Sequence, residues 1–188
     1  MSRSPSVPVV VRDISICILE GKELAAKDIA FFGHGPTSDP YYIVNFKGQK
    51  TKSAVQKQTL NPMWSRKLIE LGGVKEGETE LLEISLFDHD LVNSDDFMGI
   101  VRVTAGELHA LGHGERKFWF KLNKPDDERY RNEAVSGEIL VEISVKVTDL
   151  LFFDFRSRCD YLCAVRRNLT FRAAVFRSDH AVHLSEAL

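Results

Sequence analysis

The chain has 188 residues, the length of one domain with additional sequence, and its 44% hydrophobic and 28% charged residues are typical of globular proteins. The 25 basic and 27 acidic side chains leave a formal net charge of -2, which excludes the overall basic excess of many nucleic-acid-binding proteins. The 3 cysteines are too few for a disulfide framework, so we expect an intracellular protein.

Short β-patterned runs, separated by turn residues, follow one another along the chain. In the fifth run Leu82, Ile84 and Leu86 alternate with polar residues and therefore share one face of a strand. Eight short strands without a long helical pattern predict an all-β fold, an antiparallel β-sandwich. The predicted strands are Ile14–Leu19, Tyr41–Phe46, Gln49–Val55, Trp64–Leu71, Glu80–Phe87, Met98–Val103, Arg116–Leu122 and Glu138–Val147.

The remaining sequence divides into loops, one short helix and a distinct C-terminal tail. Ala105–Leu111 has the pattern of a helical turn, and Lys124–Val135 is polar enough for a loop. Lysine is absent after position 148, where apolar and arginine residues dominate. We therefore predict a flexible N-terminus over 1–12, a domain over 13–148 and a tail over 149–188. Tyr161–Phe176 of that tail has imperfect helical spacing, and disorder is the alternative.

Four carboxylates lie close together in the segment that follows the fifth predicted strand. Because like charges repel, such a segment is destabilised unless its charge is compensated. A hard cation is the usual compensation, and Ca²⁺ suits irregular sets of oxygen ligands better than Mg²⁺ does. The spacing does not fit an EF-hand loop, and a solvated acidic turn is the alternative. The four residues are Asp88, Asp90, Asp95 and Asp96.

Four blocks in a fixed order resemble the C2 domain family. The resemblance runs from about Asp13 to Val147 and implies an eight-stranded Greek-key β-sandwich with calcium-binding loops at one end. The chain begins directly with the strand that leads into the first loop, which favours the second of the family's two permuted topologies. The blocks are Leu19–Asp28, the SDPY motif at 38–41, the QKTK and TLNPMW motifs at 49–64, and the FDHD to DDFMG motif at 87–99.

The resemblance implies a calcium site on two loops. The first loop would supply Asp28 and Asp39, and the third loop would supply the other three carboxylates and the backbone carbonyl of His89. Asp95 is an extra acid, which we expect to face solvent. Ten residues separate the two first-loop aspartates, more than is usual in the family, and this insertion could displace Asp28 from the metal. The predicted ligands are Asp28, Asp39, Asp88, His89, Asp90 and Asp96.

The resemblance also implies contacts with a membrane. Apolar residues at the tips of the two loops would enter the bilayer interface, or fold back onto the sandwich as the alternative. Two lysines on one strand face match the family's basic cluster for acidic headgroups, although a solvated strand face is equally compatible with this pattern. The predicted lipid-binding residues are Phe31, Phe32, Leu91, Val92, Lys50 and Lys52.

The hypothesis that follows is calcium-dependent binding of anionic phospholipid membranes by a domain without catalytic activity. We expect the protein to be cytoplasmic and to become peripheral at membranes when calcium is raised, in signalling or membrane trafficking. Its partner would be a membrane surface, with no nucleic acid and no small-molecule substrate. Two alternatives stay open: a calcium-independent module with a protein partner, and a fragment of a larger membrane-targeted enzyme.

Overall fold

Two antiparallel sheets pack face to face around one apolar layer. The structure, a computed structural model, describes residues 11–28, 36–90, 94–148 and 185–186. One short α-helix and one turn of 3-10 helix, Glu128–Tyr130, join the strands in this part of the chain. The strands are β1 (Val11–Lys22), β2 (Pro40–Phe46), β3 (Gln49–Lys52), β4 (Ile69–Lys75), β5 (Leu81–Asp88), β6 (Asp96–Thr104), β7 (Gly114–Lys121), β8 (Glu138–Thr148) and β9 (Ser185–Glu186).

The strand order confirms the predicted sandwich. One sheet has the order β4-β1-β8-β7-β9 and the other the order β3-β2-β5-β6. The last strand of the predicted domain, β8, pairs with β1 along nearly its whole length, from Val11 opposite Thr148 to Lys22 opposite Glu138. The two ends of the sandwich domain are therefore neighbours in one sheet. The ninth strand contributes two residues, which pair with Phe118 and Trp119 of β7.

Alternating apolar side chains fill the space between the sheets. In β1, Ile14, Ile16 and Ile18 are fully buried, and Leu82, Ile84 and Leu86 of β5 belong to the same core. Burial of each such side chain contributes roughly 1.5–3 kcal/mol, so the alternation read from the sequence accounts for much of the driving force for this fold.

The fourth strand begins five residues later than predicted. The Trp64 side chain is buried and packs edge-on against Tyr42, with ring centroids 5.2 Å apart, but its backbone belongs to the crossing between the two sheets. The backbone N–H of Trp64 donates to the carbonyl of Leu19 in β1 at 2.9 Å, and the chain then runs exposed until β4 starts at Ile69. The hydrophobic residue at position 64 therefore attaches the segment between β3 and β4 to the core and does not belong to a strand.

The predicted helical turn is the α-helix α1, Ala105–Ala110. Thr104 caps it, because its side chain accepts from the backbone N–H of Glu107 while the Glu107 carboxylate accepts from the backbone N–H of Thr104 at 2.7 Å. This reciprocal capping satisfies two helix-end donors. Ala105 and Leu108 pack into the core, so the helix closes one end of the sandwich.

Two glycines allow the segment between β7 and β8 to pack closely at the opposite end. Gly99 in β6 has a φ of 141°, and a Cβ there would lie 2.8 Å from Leu122 and 2.9 Å from Val135. Gly137 has a φ of 88°, and its Cβ would lie 2.4 Å from the carbonyl oxygen of Lys22. Neither position accommodates a larger residue, so Gly99 lets this loop pack onto β6, and Gly137 lets it lie beside the end of β1 at Lys22.

Most of the predicted tail, including the helix over Tyr161–Phe176, lies outside the described residues, as does most of the predicted flexible N-terminus. In the part of the chain that the structure describes, no helix has the length and apolar character needed to cross a lipid bilayer.

Candidate functional site

Three adjacent strands bring predicted ligands to one end of the sandwich. In the β2-β5-β6 part of the sheet, Pro40 pairs with Asp88, and Asp88 pairs with Asp96. Asp39, which precedes Pro40, therefore lies at the same end as Asp88 and Asp96. Sheet register alone places these three carboxylates on neighbouring strand ends, although they are far apart in sequence.

The long insertion in the first loop does not carry Asp28 away from this end. The backbone N–H of Asp28 donates to the carbonyl of Thr37 at 3.0 Å, in an isolated antiparallel bridge. The buried Ser38 hydroxyl accepts from the Lys27 N–H at 2.9 Å and donates to the Ala25 carbonyl at 3.1 Å. These bonds hold the two ends of the insertion together, so Asp28 and Asp39 lie on either side of the same hydrogen-bonded segment. Phe31 and Phe32, within the insertion, lie outside the described residues.

Two of the predicted ligands are held by backbone donors. Asp88 is buried, and its Oδ1 accepts from the backbone N–H of Asp39 at 2.5 Å. Asp39 in turn accepts from the backbone N–H of Gln58 through Oδ1 at 2.7 Å, and its carbonyl accepts from the N–H of His89 at 3.1 Å. The first loop, the third loop and the crossing segment are thereby tied together.

The carboxylates at this end repel one another. Burial raises the pKa of Asp88, and the charges of Asp28 and Asp90 raise it further, while hydrogen bonds from Asp39 and Ser38 oppose the shift. Although Asp28 is an exposed residue, desolvation of its carboxyl raises its pKa, followed by the charges of Asp39, Asp90 and Asp96. The charges of three of the other four predicted carboxylates therefore act on Asp28.

The pKa of Asp96 is raised as well. Burial is the largest cause, and the negative charges of Glu133, Asp90 and Asp95 add to it, whereas Lys27 lowers it. On three separate loop or strand ends, burial and the charges of neighbouring carboxylates therefore raise carboxyl pKa values, and a bound cation would offset both effects.

The donor set suits Ca²⁺ in chemistry, since it consists of carboxylate and carbonyl oxygens. Over the described ranges, however, no group of three or more His, Cys, Asp and Glu side chains is arranged so that it could hold a metal ion as it stands. Asp88 and Asp39 turn oxygens towards backbone N–H groups, which compensates part of their charge. A coordination shell would therefore require these side chains to leave their present hydrogen-bonded orientations.

The sequence predicted that Asp95 faces solvent, but both of its carboxylate oxygens accept hydrogen bonds within the protein. Its Oδ2 accepts from the Tyr41 hydroxyl at 2.5 Å, and its Oδ1 accepts from the backbone N–H of Asp90 at 3.1 Å. The same Oδ1 lies 3.1 Å from His89 Nδ1. Burial alone would raise the pKa of Asp95, but these hydrogen bonds together lower it. The sequence could not predict this role, because the bond joins Asp95 to a residue 54 positions away.

An ion pair beside the site was also missed by the sequence motifs. Lys27 Nζ lies 2.5 Å from Glu133 Oε2, and the lysine side chain is only 7% exposed. Glu133 belongs to the loop between β7 and β8, which the sequence predicted only as a polar loop. No spacing pattern links positions 27 and 133, so only the packing of that loop against the first loop could reveal the pair.

The predicted basic residues lie on the exposed β3. Lys50 pairs in register with Asn45, and Lys52 pairs with Ile43. Lys52 Nζ lies 3.6 Å from the centroid of the Tyr41 ring, which draws it towards the loop end by a cation–π contact. Both lysines therefore lie on β3 beside β2, and Lys52 is the nearer of the two to the acidic end. Leu91 and Val92, predicted at the tip of the third loop, lie outside the described residues.

Comparison with known proteins identifies the family. The family model described as "C2 domain" matches residues 12–122. Human Ras GTPase-activating protein 4B is 31% identical over 132 residues, which are 69% of this chain and 15% of that protein. The 16 kDa phloem protein 2 of Cucurbita maxima is 34% identical over 116 residues, which are 58% of this chain and 76% of that protein.

Solved structures agree with the fold. A single C2 domain of plant extended synaptotagmin 1 superposes with a TM-score of 0.57 at 22% identity, covering 76% of this chain and 98% of that one. A calcium-bound tandem of two C2 domains from extended synaptotagmin 2 gives a TM-score of 0.55 at 30% identity, covering 74% of this chain and 46% of that one. The chain thus spans only a small part of its Ras GTPase-activating relatives, but nearly all of an isolated domain of this kind.

Proposed function

Since this chain belongs to the C2 domain family, we propose that it binds anionic phospholipid membranes in a calcium-dependent manner and has no catalytic activity of its own. Membership of the family supports membrane or lipid binding in general. The observation that carries the calcium part is the convergence of acidic side chains from different strand ends: burial raises the pKa of Asp28, Asp88 and Asp96, and the charge of Asp90 raises all three further.

In this proposal the cation is held by the five aspartates and the His89 carbonyl. Bound Ca²⁺ would supply positive charge and open coordination positions for headgroup phosphate oxygens. The protein's own part is to keep the ligands on a backbone that is already tied together, from Asp39 to His89 and from Asp88 to Asp39. The change on binding is therefore mainly electrostatic, and the sandwich itself does not rearrange.

The membrane contact in this proposal has two further parts. Phe31 and Phe32 in the first loop, with Leu91 and Val92 in the third loop, would enter the bilayer interface. Lys50 and Lys52 on the side of the sandwich would face anionic headgroups, each adding about 1 kcal/mol. The exposure of both lysines on β3 supports this part.

The proposed setting is the cytoplasm, with recruitment to membranes when calcium rises. A second candidate, a calcium-independent interaction module with a protein partner, is supported by the engagement of Asp88 and Asp39 with backbone N–H groups. The small share of the Ras GTPase-activating relatives that the chain spans supports a third candidate, a membrane-targeting part of a larger protein.

Sedimentation with vesicles separates the first two candidates. The full chain is mixed with vesicles of phosphatidylcholine and phosphatidylserine, in calcium or in chelator. We expect pelleting only in calcium, and its loss in the variant Asp90→Asn. The exposed Asp126 on the neighbouring loop gives the matched control Asp126→Asn, which removes one charge without touching a predicted ligand. Equal pelleting in calcium and chelator would refute calcium dependence and favour the second candidate.

A further inference from the structure

Asp95 uses both carboxylate oxygens to hold the third loop. Oδ1 accepts from the Asp90 backbone N–H at 3.1 Å and lies 3.1 Å from His89 Nδ1, while Oδ2 accepts from the Tyr41 hydroxyl at 2.5 Å. A carboxylate that accepts from several donors is strongly oriented. Asp95 therefore connects the two ends of its own loop and attaches both of them to β2.

Tyr41 is a rigid partner for this carboxylate. The residue is 4% exposed, and its ring stacks on Phe87 with centroids 5.7 Å apart. Phe87 directly precedes Asp88, and Tyr41 pairs with Phe87 in the sheet. The hydroxyl is thus fixed by the sheet itself, and Asp95, which directly precedes β6, links this hydroxyl to the backbone N–H of Asp90.

Among the predicted ligands, Asp90 is the one whose own backbone N–H donates to Asp95. It lies beyond the last paired residue of β5, Asp88, and the residues that follow it are outside the described part of the chain. Asp90 is a predicted ligand, and its charge raises the pKa of Asp28, Asp88 and Asp96. Without the bonds to Asp95, the chain at Asp90 would lose its connection to Tyr41.

We propose that Asp95 and the Tyr41 hydroxyl are positioning residues for the calcium site: they hold the third loop so that Asp90 stays near the other carboxylates. The proposal rests on the calcium binding proposed above. Neither residue is a ligand. Outer-shell partners that orient metal ligands typically change metal affinity by about 10–100-fold when they are removed.

The variant Tyr41→Phe tests this with no change in charge and with the stacked ring retained. Calcium affinity of the full chain, measured by calorimetry, is expected to fall about 10-fold. Asp95→Ala should lower it at least as much, and the double variant should equal Asp95→Ala alone, because the hydroxyl acts only through that carboxylate. Asp126→Ala, which removes an exposed charge on the neighbouring loop, should leave calcium affinity within about twofold.

A purely structural role for Tyr41 would instead lower stability and give additive effects in the double variant, so thermal unfolding in chelator is measured for each protein. Amide hydrogen exchange in chelator gives a readout that does not need calcium: the Asp90 N–H should exchange about 10-fold faster in Tyr41→Phe and in Asp95→Ala.

The outcomes are distinct. Wild-type binding with an unchanged Tyr41→Phe affinity overturns the positioning role while the proposed function stands. Additive losses in the double variant also overturn it. Absence of calcium binding by the wild type overturns the proposed function, and the positioning role with it. A loss shared by Tyr41→Phe, Asp95→Ala and the double variant supports the proposal.

Discussion

The carboxylate of Asp88 accepts a hydrogen bond from the backbone N–H of Asp39 at 2.5 Å, and so joins the end of β5 to the start of β2. Asp88 is 2% exposed, which makes it the most deeply buried carboxylate of the candidate site. A single predicted ligand therefore has a structural role before any cation is considered.

Replacing Asp88 by alanine should destabilise the metal-free protein by about 1–3 kcal/mol, because the partly buried Asp39 N–H loses its acceptor. Asp88→Asn keeps an acceptor oxygen and removes a desolvated charge, so its free energy of unfolding should be close to that of the wild type or above it. Urea unfolding in chelator measures both. Equal destabilisation of the two variants would contradict a role for the acceptor oxygen.

The field around Asp28 should appear in the pH dependence of stability. Because its pKa is raised in the folded protein, the folded state holds this proton more tightly than the unfolded state does. This contribution favours folding at low pH and is lost as pH rises through the raised pKa. Between about pH 3.5 and pH 7, the wild type should therefore lose stability relative to Asp28→Asn, as measured by urea unfolding in chelator. A difference independent of pH would contradict the proposed repulsion.

The buried ammonium of Lys27 should depend on Glu133. Glu133→Gln leaves that charge with a neutral partner and should cost about 1–3 kcal/mol of unfolding free energy. Lys27→Met removes the charge itself, so adding Glu133→Gln to Lys27→Met should cost little more. The double-mutant cycle measures this coupling by chemical unfolding in chelator. Strictly additive effects would show that the 2.5 Å ion pair contributes nothing.

The two lysines of β3 should contribute to lipid binding. Lys50→Ala with Lys52→Ala is expected to weaken binding to phosphatidylserine vesicles in calcium by about 5-fold per lysine, since each adds about 1 kcal/mol near an anionic surface. Lys146 is exposed on β8 of the other sheet and gives the matched control Lys146→Ala. If Lys146→Ala weakens vesicle binding as much as the loss of one β3 lysine does, the effect reflects net charge and the face of β3 has no special role.

Aromatic residues of the first loop should contribute to the same membrane contact. Phe31→Ala with Phe32→Ala should reduce vesicle binding in calcium while leaving calorimetric calcium affinity in solution unchanged, because neither residue is a predicted ligand. Leu91→Ala with Val92→Ala should behave alike. Parallel losses of calcium affinity and vesicle binding would show instead that the apolar residues shape the metal-binding loops.

The sequence by itself determined the class of fold and most of its strands. Alternating apolar residues have a period that any half-buried strand imposes, so β5 could be read from Leu82, Ile84 and Leu86 alone. The ordered motifs predicted the family, which the match over residues 12–122 confirms. The prediction that β4 starts at Trp64 was wrong, because the sequence pattern of a buried tryptophan is the same in a strand and in a connecting segment that packs onto the core.

Only the tertiary structure decided how the candidate site is held together. The closure of the first loop at Asp28 and Thr37, the bond from Tyr41 to Asp95 and the ion pair of Lys27 with Glu133 join residues that are 9, 54 and 106 positions apart. Local periodicity carries no information about such contacts, since they arise from sheet register and loop packing. Side-chain identity thus predicted which acids could bind a cation, while the assembled backbone determined which of them are near one another and what keeps them there.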